Sequence, residues 1–202
     1  MFIGITGGVG AGKSTILEIL KERYDAHLII ADDVAKHLMG KGKSAYRQIV
    51  KFFGTEILGE NGEIDRQKMS ALVYQDEEKR LAVNKIVHPL VKKAILKEQK
   101  KVSDRNPEQL IVLEAALLIE DNYKELLDEL WAVIADKEVR IRRLMDSRGY
   151  SREKSESIIA AQLSDEEFQD ACDFVIDNSG TIEETQKQIE AYFERNTDRR
   201  TK

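Results

Sequence analysis

Short apolar runs alternate along the chain with longer segments in which apolar residues recur every three or four positions. The apolar runs predict buried strands, and the longer segments predict helices. Strands alternating with helices indicate an α/β fold, a parallel sheet with helices on both faces and right-handed crossovers. The five predicted strands are residues 2–6, 27–31, 110–114, 130–134 and 174–176.

Two helical segments do not fit simple crossovers between strands. Residues 41–104 show helical spacing throughout, which indicates an inserted helical subdomain on the substrate side. Residues 137–163 predict an arginine-rich pair of helices, which we interpret as a lid. We therefore predict a single domain over 1–202, whose core comprises about 1–40, 105–136 and 164–196.

Several residues are predicted to mark helix ends. Asp65 is a plausible cap for the helix that follows it. Pro89 is predicted as the first residue of a separate helix, where its missing N–H costs nothing. Thr181 and Glu184 predict a capping box for the last helix. Residues 195–202 are polar and expected to fray.

Composition limits the class of protein. The 202 residues are 42% hydrophobic and 34% charged, as in ordinary globular proteins, and no apolar run approaches the ~20 residues of a membrane helix. The net charge of −5 argues against a large nucleic-acid-binding surface. The single cysteine, Cys172, and a first strand that leaves no room for a leader peptide predict a cytoplasmic protein. We expect a monomer.

The first predicted strand leads directly into a phosphate-binding pattern. Residues 7–14 are GGVGAGKS, which is the G-x-x-x-x-G-K-S spacing of a P-loop between a strand and a helix. The glycines are expected to adopt positive φ and bring backbone N–H groups close to phosphate oxygens. Lys13 is predicted to bind the β- and γ-phosphates of ATP and Ser14 to bind Mg²⁺. The predicted ATP contacts in this loop are Gly8, Gly10, Ala11, Gly12, Lys13, Ser14 and Thr15.

This motif refines the predicted fold to that of P-loop NTPases and nucleoside-monophosphate kinases, a five-stranded parallel sheet with an inserted helical subdomain and a helical lid. The alternative is a glycine-rich turn with a solvated lysine. The preceding strand, the hydroxyl at the right spacing and the apolar-faced helix that follows favour nucleotide binding.

Carboxylates follow two of the predicted strands. Asp32 lies just past residues 27–31, where α/β folds place their chemistry, although an aspartate there can equally cap the next helix. We expect that strand to lie beside the P-loop strand, so that Asp32 can reach the γ-phosphate. Glu114 ends the strand 110–114 and is predicted to organise the magnesium shell.

The first lid helix carries Arg140, Arg143 and Arg148. A basic hairpin that closes on the phosphates would exclude water and stabilise charge in phosphoryl transfer. The alternative is that these arginines form surface ion pairs, but the acidic residues of the segment do not match them at helical spacing. His88 is either a substrate contact or a helix cap, and the residues alone favour the cap.

Other functions of nucleotide-binding proteins fit less well. A GTP-dependent switch would need an Asn-Lys-x-Asp tetrad after a late strand, but Asn84-Lys85 lies in the helical region and is followed by Ile86. A DNA-handling ATPase conflicts with the acidic charge balance. Another P-loop kinase acting on nucleosides or nucleotides remains an alternative.

The order and spacing of further motifs resemble the dephospho-CoA kinase family over nearly the whole chain. The resemblance implies an enzyme that phosphorylates the ribose 3′-hydroxyl of dephospho-CoA, with ATP and Mg²⁺, in the last step of coenzyme A synthesis. The motifs are ITGGVGAGKST at 5–15, Ala31-Asp32, Asp65-Arg66, Asn84 through His88-Pro89, Leu117 to Glu120, Arg143-Leu144, Ala161-Gln162 and Asn178-x-Gly180.

The resemblance also implies roles for individual residues. Asp32 would be the base that accepts the hydroxyl proton, with Lys13 and Arg143 as the other catalytic residues. The acceptor-binding residues would be Arg66, His88 and Leu117 beside Asp32. Lid residues Arg140 and Arg148 would contact ATP, and Asn178 and Gly180 would lie near its adenine.

Three features depart from the family pattern. Ile30 stands where the family often has an aspartate, and Glu114 and Ala116 stand where it often has aspartate and proline. The second lid arginine is displaced by one position, to Arg148. These departures affect the expected magnesium shell and the lid contacts.

Overall fold

The computed structural model describes residues 1–74 and 76–197. Five strands form one sheet in the order β2-β3-β1-β4-β5, and β1 pairs in parallel with β3 and β4, as β4 does with β5. The predicted five-stranded parallel α/β sheet is therefore confirmed. The strands are β1 (Phe2–Gly7), β2 (His27–Ile30), β3 (Ile111–Glu114), β4 (Glu129–Ile134) and β5 (Phe174–Asp177).

Nine α-helices lie within the described residues: α1 (Lys13–Tyr24), α2 (Ala31–Leu38), α3 (Ser44–Phe53), α4 (Arg66–Tyr74), α5 (Glu77–Arg105), α6 (Lys137–Arg148), α7 (Arg152–Ala160), α8 (Asp165–Ala171) and α9 (Ile182–Thr197). Short 3₁₀ helices cover Thr55–Ile57 and Tyr123–Leu126. Helix α9 continues through Thr197, past the residue from which we expected fraying. Residues 198–202 lie outside the described residues. No helix in the described part of the chain has the length and apolar character to cross a membrane.

The apolar strands form the centre of the core. Every residue of β1 is buried, as expected for a central parallel strand covered on both faces. Trp131 on β4 is fully buried and packs edge-on against Phe174 and Tyr192, with ring centroids 5.0 and 4.5 Å apart. This core fixes the carboxyl end of β1, from which the P-loop begins.

The strand that precedes Asp32 does not lie beside the P-loop strand. The expectation that β2 neighbours β1 is wrong, because β3 lies between them. The first three residues of β3 are buried, as suits an interior strand, whereas β2 is mostly half-exposed, as suits an edge. The burial of the two strands thus explains their order.

The chain divides into two compact units. One comprises residues 1–28 together with those from 108 onward, and the other comprises 29–107. The first unit contains the P-loop and the predicted lid helices. The second begins at residue 29 rather than at 41, where we predicted the insertion to start, because α2 packs on α3 and α5.

One long helix dominates the second unit. Helix α5 continues through Pro89, so the prediction of a separate helix starting there is wrong, and His88 is not a cap. The proline lacks an N–H and leaves the carbonyl of residue 85 without its helical bond. Val87, Val91 and Ile95 are buried at a four-residue spacing on both sides of the proline. Continuous packing of this face stabilises the helix despite the local loss.

The other predicted caps are confirmed. Asp65 accepts hydrogen bonds from the backbone N–H groups of residues 67 and 68, at 2.8 and 3.1 Å. Thr181 and Glu184 form a reciprocal box, in which the Thr181 N–H donates to the glutamate at 2.8 Å and the Glu184 N–H donates to the threonine hydroxyl at 3.3 Å. These contacts satisfy backbone donors that a helix start leaves unpaired.

Candidate active site

The P-loop joins the buried strand β1 to helix α1. Gly12 is the N-cap of α1, with a left-handed φ of 94°, and no side chain caps this helix. The first turn of α1 contains no acidic residue. The positive end of the α1 dipole is therefore directed at the loop, where it favours binding of an anion.

The glycines of the loop have two different roles. Gly7, Gly10 and Gly12 adopt positive φ, as predicted. Gly8 does not, so that expectation is wrong for it. A Cβ on Gly8 would lie 2.2 Å from Nη2 of Arg140, and only glycine allows this approach of the guanidinium.

Lys13 and Ser14 begin helix α1 beside the loop. The Lys13 Nζ donates to the carbonyl of Gly7 at 2.8 Å and to that of Gly8 at 3.5 Å, which holds the ammonium over the loop. Ser14 is exposed, and its hydroxyl forms no hydrogen bond with any described residue. A hydroxyl in this state is available as a hard oxygen ligand for a cation.

Two of the three predicted lid arginines contact the P-loop through its carbonyl groups. Arg140 Nε donates to the carbonyl of Val9 at 3.0 Å. Arg143 Nη1 donates to the carbonyls of Ala11 and Gly10, at 3.1 and 3.4 Å. Three successive carbonyls of the loop are thus held by cationic side chains of α6.

Among the described residues, no carboxylate lies at hydrogen-bond distance from the guanidinium groups of these arginines. Arg140 is 4% exposed, and its closest acidic group is Asp165, at 3.8 Å. Burial lowers the pKa of Arg140, and the charge of Asp165 opposes this shift. Arginine remains cationic at neutral pH. The guanidinium groups therefore raise the electrostatic potential at the loop.

Arg148 does not share these contacts. It is exposed at the end of α6, with no hydrogen bond or ion pair to any described residue. Eight residues separate it from Arg140, which is about 12 Å along a helix. The surface ion pairs of this helical pair instead belong to Arg152, which binds Glu138 at 2.8 Å and Glu156 at 3.3 Å. The hydrogen bond from Arg152 lowers the pKa of Glu138.

Two amide side chains complete the surroundings of the loop. Gln162 Oε1 accepts from the Val9 N–H and from Arg140 Nη2, both at 2.9 Å. Asn178 is buried, and its Nδ2 donates to the carbonyl of Ala11 at 2.8 Å while its Oδ1 accepts from Thr185 at 2.9 Å. Sequence reasoning gave Gln162 no site role and placed Asn178 only near adenine. The partners lie too far away along the chain for any local pattern to reveal them.

Gly180 follows Asn178 in an exposed turn. A Cβ there would lie 2.1 Å from the Glu184 carboxylate, which caps α9. The glycine is therefore needed for the capping box that begins this helix, whatever else the turn binds.

Glu114 is the second residue predicted to bind Mg²⁺, after Ser14. Glu114 ends β3, is half-buried and pairs in register with Ile5 of β1. Within the described residues there is no cluster of three or more His, Cys, Asp or Glu side chains able to hold a metal. Mg²⁺ commonly keeps waters and binds one or two protein oxygens plus substrate phosphates, so Ser14 and Glu114 fit it. Leu117, in the loop after β3, is 47% exposed.

The remaining predicted site residues lie in the second unit. Asp32 is exposed in the first turn of α2, with no partner among the described residues, and the N-cap of this helix is Ile30. Asp32 is therefore not the cap that the alternative interpretation required. Arg66 is exposed at the start of α4, and His88 is half-buried within α5.

Comparison with known proteins decides the family. The family model described as dephospho-CoA kinase matches residues 1–184. The chain belongs to the dephospho-CoA kinase family. Its curated relatives include the dephospho-CoA kinase of Carboxydothermus hydrogenoformans, 42% identical over 93% of this chain and 90% of the relative. That of Bacillus cereus strain ZK is 39% identical over 96% of both chains.

Solved structures share the fold of this chain. A Thermus thermophilus protein is 29% identical, covers 96% of this chain and 97% of its own, and has a TM-score of 0.80. The shikimate kinase of Acinetobacter baumannii has a TM-score of 0.52 at 14% identity, covering 96% of this chain and 93% of its own. At that identity the likeness shows only the fold.

Proposed function

We propose that this chain is an ATP-dependent dephospho-CoA kinase. It transfers the γ-phosphoryl group of ATP to the 3′-hydroxyl of the ribose of dephospho-CoA, giving coenzyme A and ADP. One observation carries the proposal: the family model matches residues 1–184, nearly the whole chain. The P-loop, with its uncapped helix start and its lysine, supports the nucleotide half of the reaction.

The triphosphate binds on the N–H groups of the loop and of the first turn of α1. Lys13 moves from the carbonyls of Gly7 and Gly8 to the β- and γ-phosphates. Ser14 and Glu114 would hold Mg²⁺, which would neutralise charge on the phosphate oxygens when bound. The side chain of Thr15 and the turn from Asn178 to Gly180 complete the nucleotide site, the turn beside the adenine.

The acceptor hydroxyl is aimed and deprotonated by Asp32. Its oxygen attacks the γ-phosphorus in line, the bond to the β–γ bridging oxygen breaks, and ADP leaves with that electron pair. The proton passes to the Asp32 carboxylate. Exposure and the lack of a partner among the described residues leave this carboxylate available for that role. The proposed acceptor contacts are Arg66, His88 and Leu117.

The arginines of α6 stabilise the transferring group. Arg143 and Arg140 bring positive charge to the loop through their hydrogen bonds with its carbonyls, so they act on charge that develops on the equatorial phosphoryl oxygens. Arg148 is the weaker candidate, because it has no contact with the loop. We further propose that the protein acts as a monomer in the cytoplasm, where a supply of both substrates is expected.

A coupled ADP-release assay tests the acceptor. Dephospho-CoA is compared with adenosine, AMP and shikimate at saturating MgATP, and the product is analysed by mass spectrometry and phosphorus NMR. The proposal requires dephospho-CoA to have the highest kcat/KM and the new phosphate to be on the ribose 3′-oxygen. A nucleoside or nucleotide acceptor with a higher kcat/KM would establish another P-loop kinase instead. Replacing ATP with GTP in the same assay measures nucleotide preference.

A further inference from the structure

A closed ring of hydrogen bonds links the tip of the P-loop to both helices of the predicted lid. Arg140 of α6 donates through Nε to the carbonyl of Val9 at 3.0 Å. Its Nη2 donates to Gln162 Oε1 at 2.9 Å, and the Val9 N–H donates to the same oxygen at 2.9 Å. Gln162 lies just after α7. The backbone N–H and the backbone carbonyl of Val9 are therefore both held, the N–H by Gln162 and the carbonyl by Arg140.

The orientation of the Gln162 amide follows from its partners. Both groups that face it are donors, so the atom between them is the carbonyl oxygen. The amide Nε2 then points away from the ring. A glutamate would offer the same acceptor atom at the same position and would bind an arginine more strongly through a charge-assisted bond. Hydrogen bonding alone therefore does not require glutamine.

Because the Gln162 amide is uncharged, it does not neutralise the positive charge of Arg140. Arg140 is 4% exposed and bonds only neutral oxygens within the described residues, while Asp165 is 3.8 Å away on a side chain that is 45% exposed. A carboxylate at position 162 would form a close ion pair and cancel the positive potential at the loop. An amide oxygen holds the guanidinium in place without this cost.

We propose that Gln162 is a positioning residue for ATP: its neutral amide oxygen fixes Arg140 and the Val9 peptide at the P-loop tip while leaving the arginine charge available to the polyphosphate. This inference rests on the proposed binding of the ATP phosphates at the P-loop. Gln162 acts through Arg140 and the loop, and it need not touch the reacting atoms.

The decisive variant is Gln162→Glu, which retains the size and the acceptor of the side chain and adds a negative charge. Melting should occur at the same or a higher temperature than in the wild type, because the ring is kept. The Kd for MgATP, measured with a fluorescent ATP analogue in the absence of acceptor, should rise about tenfold or more. The KM for dephospho-CoA should stay within about twofold.

A matched control exists elsewhere in the same unit. Gln186 on α9 accepts a hydrogen bond from Arg23 Nη2 at 2.8 Å, so Gln186→Glu creates the same glutamate–arginine pair away from the loop. Its affinity for MgATP should equal that of the wild type. Gln162→Leu, which removes the acceptor, should melt at a lower temperature than Gln162→Glu.

Wild-type affinity for MgATP in Gln162→Glu would overturn the inference, as would a Gln162→Glu variant that melts as low as Gln162→Leu. The placement of ATP is tested separately by Lys13→Ala. If Lys13→Ala binds MgATP as the wild type does, the P-loop is not the phosphate site. If Lys13→Ala is impaired and Gln162→Glu is not, the proposed function stands and the role of Gln162 falls. Binding is measured without acceptor, so an error about dephospho-CoA does not affect the result.

Discussion

Asp32 and Asp33 are adjacent carboxylates with different expected roles. Substitution of Asp32 should cost more activity than substitution of Asp33, and substitution of Asp33 should cost more stability. Both are exposed in the first turn of α2. Asp33 forms an ion pair with Lys36 at 2.8 Å, whereas Asp32 has no partner within the described residues. We predict that Asp32→Asn abolishes most activity, whereas Asp33→Asn keeps most activity and lowers the melting point slightly more.

The magnitudes follow from these contacts. Each aspartate contributes about 0.3–1 kcal/mol through the positive end of the α2 dipole, and both variants lose that amount. Asp33→Asn also loses an exposed pair, with side chains 68% and 53% exposed for Asp33 and Lys36, which contributes at most about 0.5 kcal/mol. At about 2–4 °C per kcal/mol for a chain of this size, both melting points should fall by only a few degrees, Asp33→Asn by more.

The kinetic effects should be much larger for Asp32. Asparagine can still align the hydroxyl but cannot accept its proton, so kcat for Asp32→Asn should fall roughly 10²–10⁴-fold. The Kd for MgATP should stay near the wild-type value. Asp33→Asn should retain kcat within about threefold, since it loses only a surface ion pair.

The assay is ADP release at saturating MgATP and varied dephospho-CoA, with thermal melting of the same samples. Equal activity of the two variants would refute the assignment of the base to Asp32, as would loss of activity in Asp33→Asn alone. A fall of more than about 10 °C in the melting point of Asp32→Asn would show that the carboxylate has a structural partner, contrary to the contacts described here.

Three further predictions concern residues of the first unit. Lys13→Ala should keep the fold, as measured by circular dichroism. Its kcat should fall by the equivalent of about 2.7–4 kcal/mol in the activation free energy, because the lysine charge that contacts the transferring phosphoryl group is removed. Arg143→Met should lower the melting point and lower kcat more than ATP affinity, because it loses hydrogen bonds worth about 2 kcal/mol in total as well as a charge at the phosphates. Arg142→Met, exposed on the same helix, is its control. Burial raises the pKa of Cys172 to about 11, so its labelling by a thiol reagent at pH 8 should be about 100-fold slower in the native protein than in urea.

Each of these predictions has a result that would contradict it. Full turnover by a folded Lys13→Ala protein would remove the lysine from the mechanism. Equal damage from Arg142→Met and Arg143→Met would mean that the loop contacts of Arg143 do not matter. For Cys172, the native labelling rate should rise about tenfold per pH unit between pH 7 and 10, because the thiolate fraction does so below the raised pKa. A rate independent of pH in this range would contradict the shift.

Signals that act over a few residues were sufficient to predict much of the molecule. The P-loop, the cap at Asp65 and the box of Thr181 and Glu184 each depend on groups within a few positions of one another, and each is present in the structure. Strand positions followed from apolar runs bounded by turns. In all of these cases the residues that interact are also close together in the sequence, so the local pattern is sufficient to predict the interaction.

Features set by distant contacts were predicted poorly. Pro89 is favourable at a helix start, but packing on both sides of it continues α5 through the proline. The apolar run of 110–114 indicated a central strand, but the neighbours of β1 also depend on contacts between segments that are far apart along the chain, so β2 was wrongly expected beside β1. Gln162 and Asn178 contact loop residues 153 and 167 positions away, so their support of the P-loop has no local pattern.

The central position of β1 has a consequence for biosynthesis. This strand emerges from the ribosome more than 100 residues before its neighbours, since Phe2 pairs with Ile111 and Ile3 with Glu129. Residues 29–107 are contiguous and can make the contacts of their own unit first. Strand β1, all of whose residues are buried in the folded sheet, meanwhile has no partner strand, and the P-loop lacks its hydrogen bond from Asn178 until that residue has been translated. A ligand of this loop should therefore stabilise a chain that extends past Asn178 more than a shorter one.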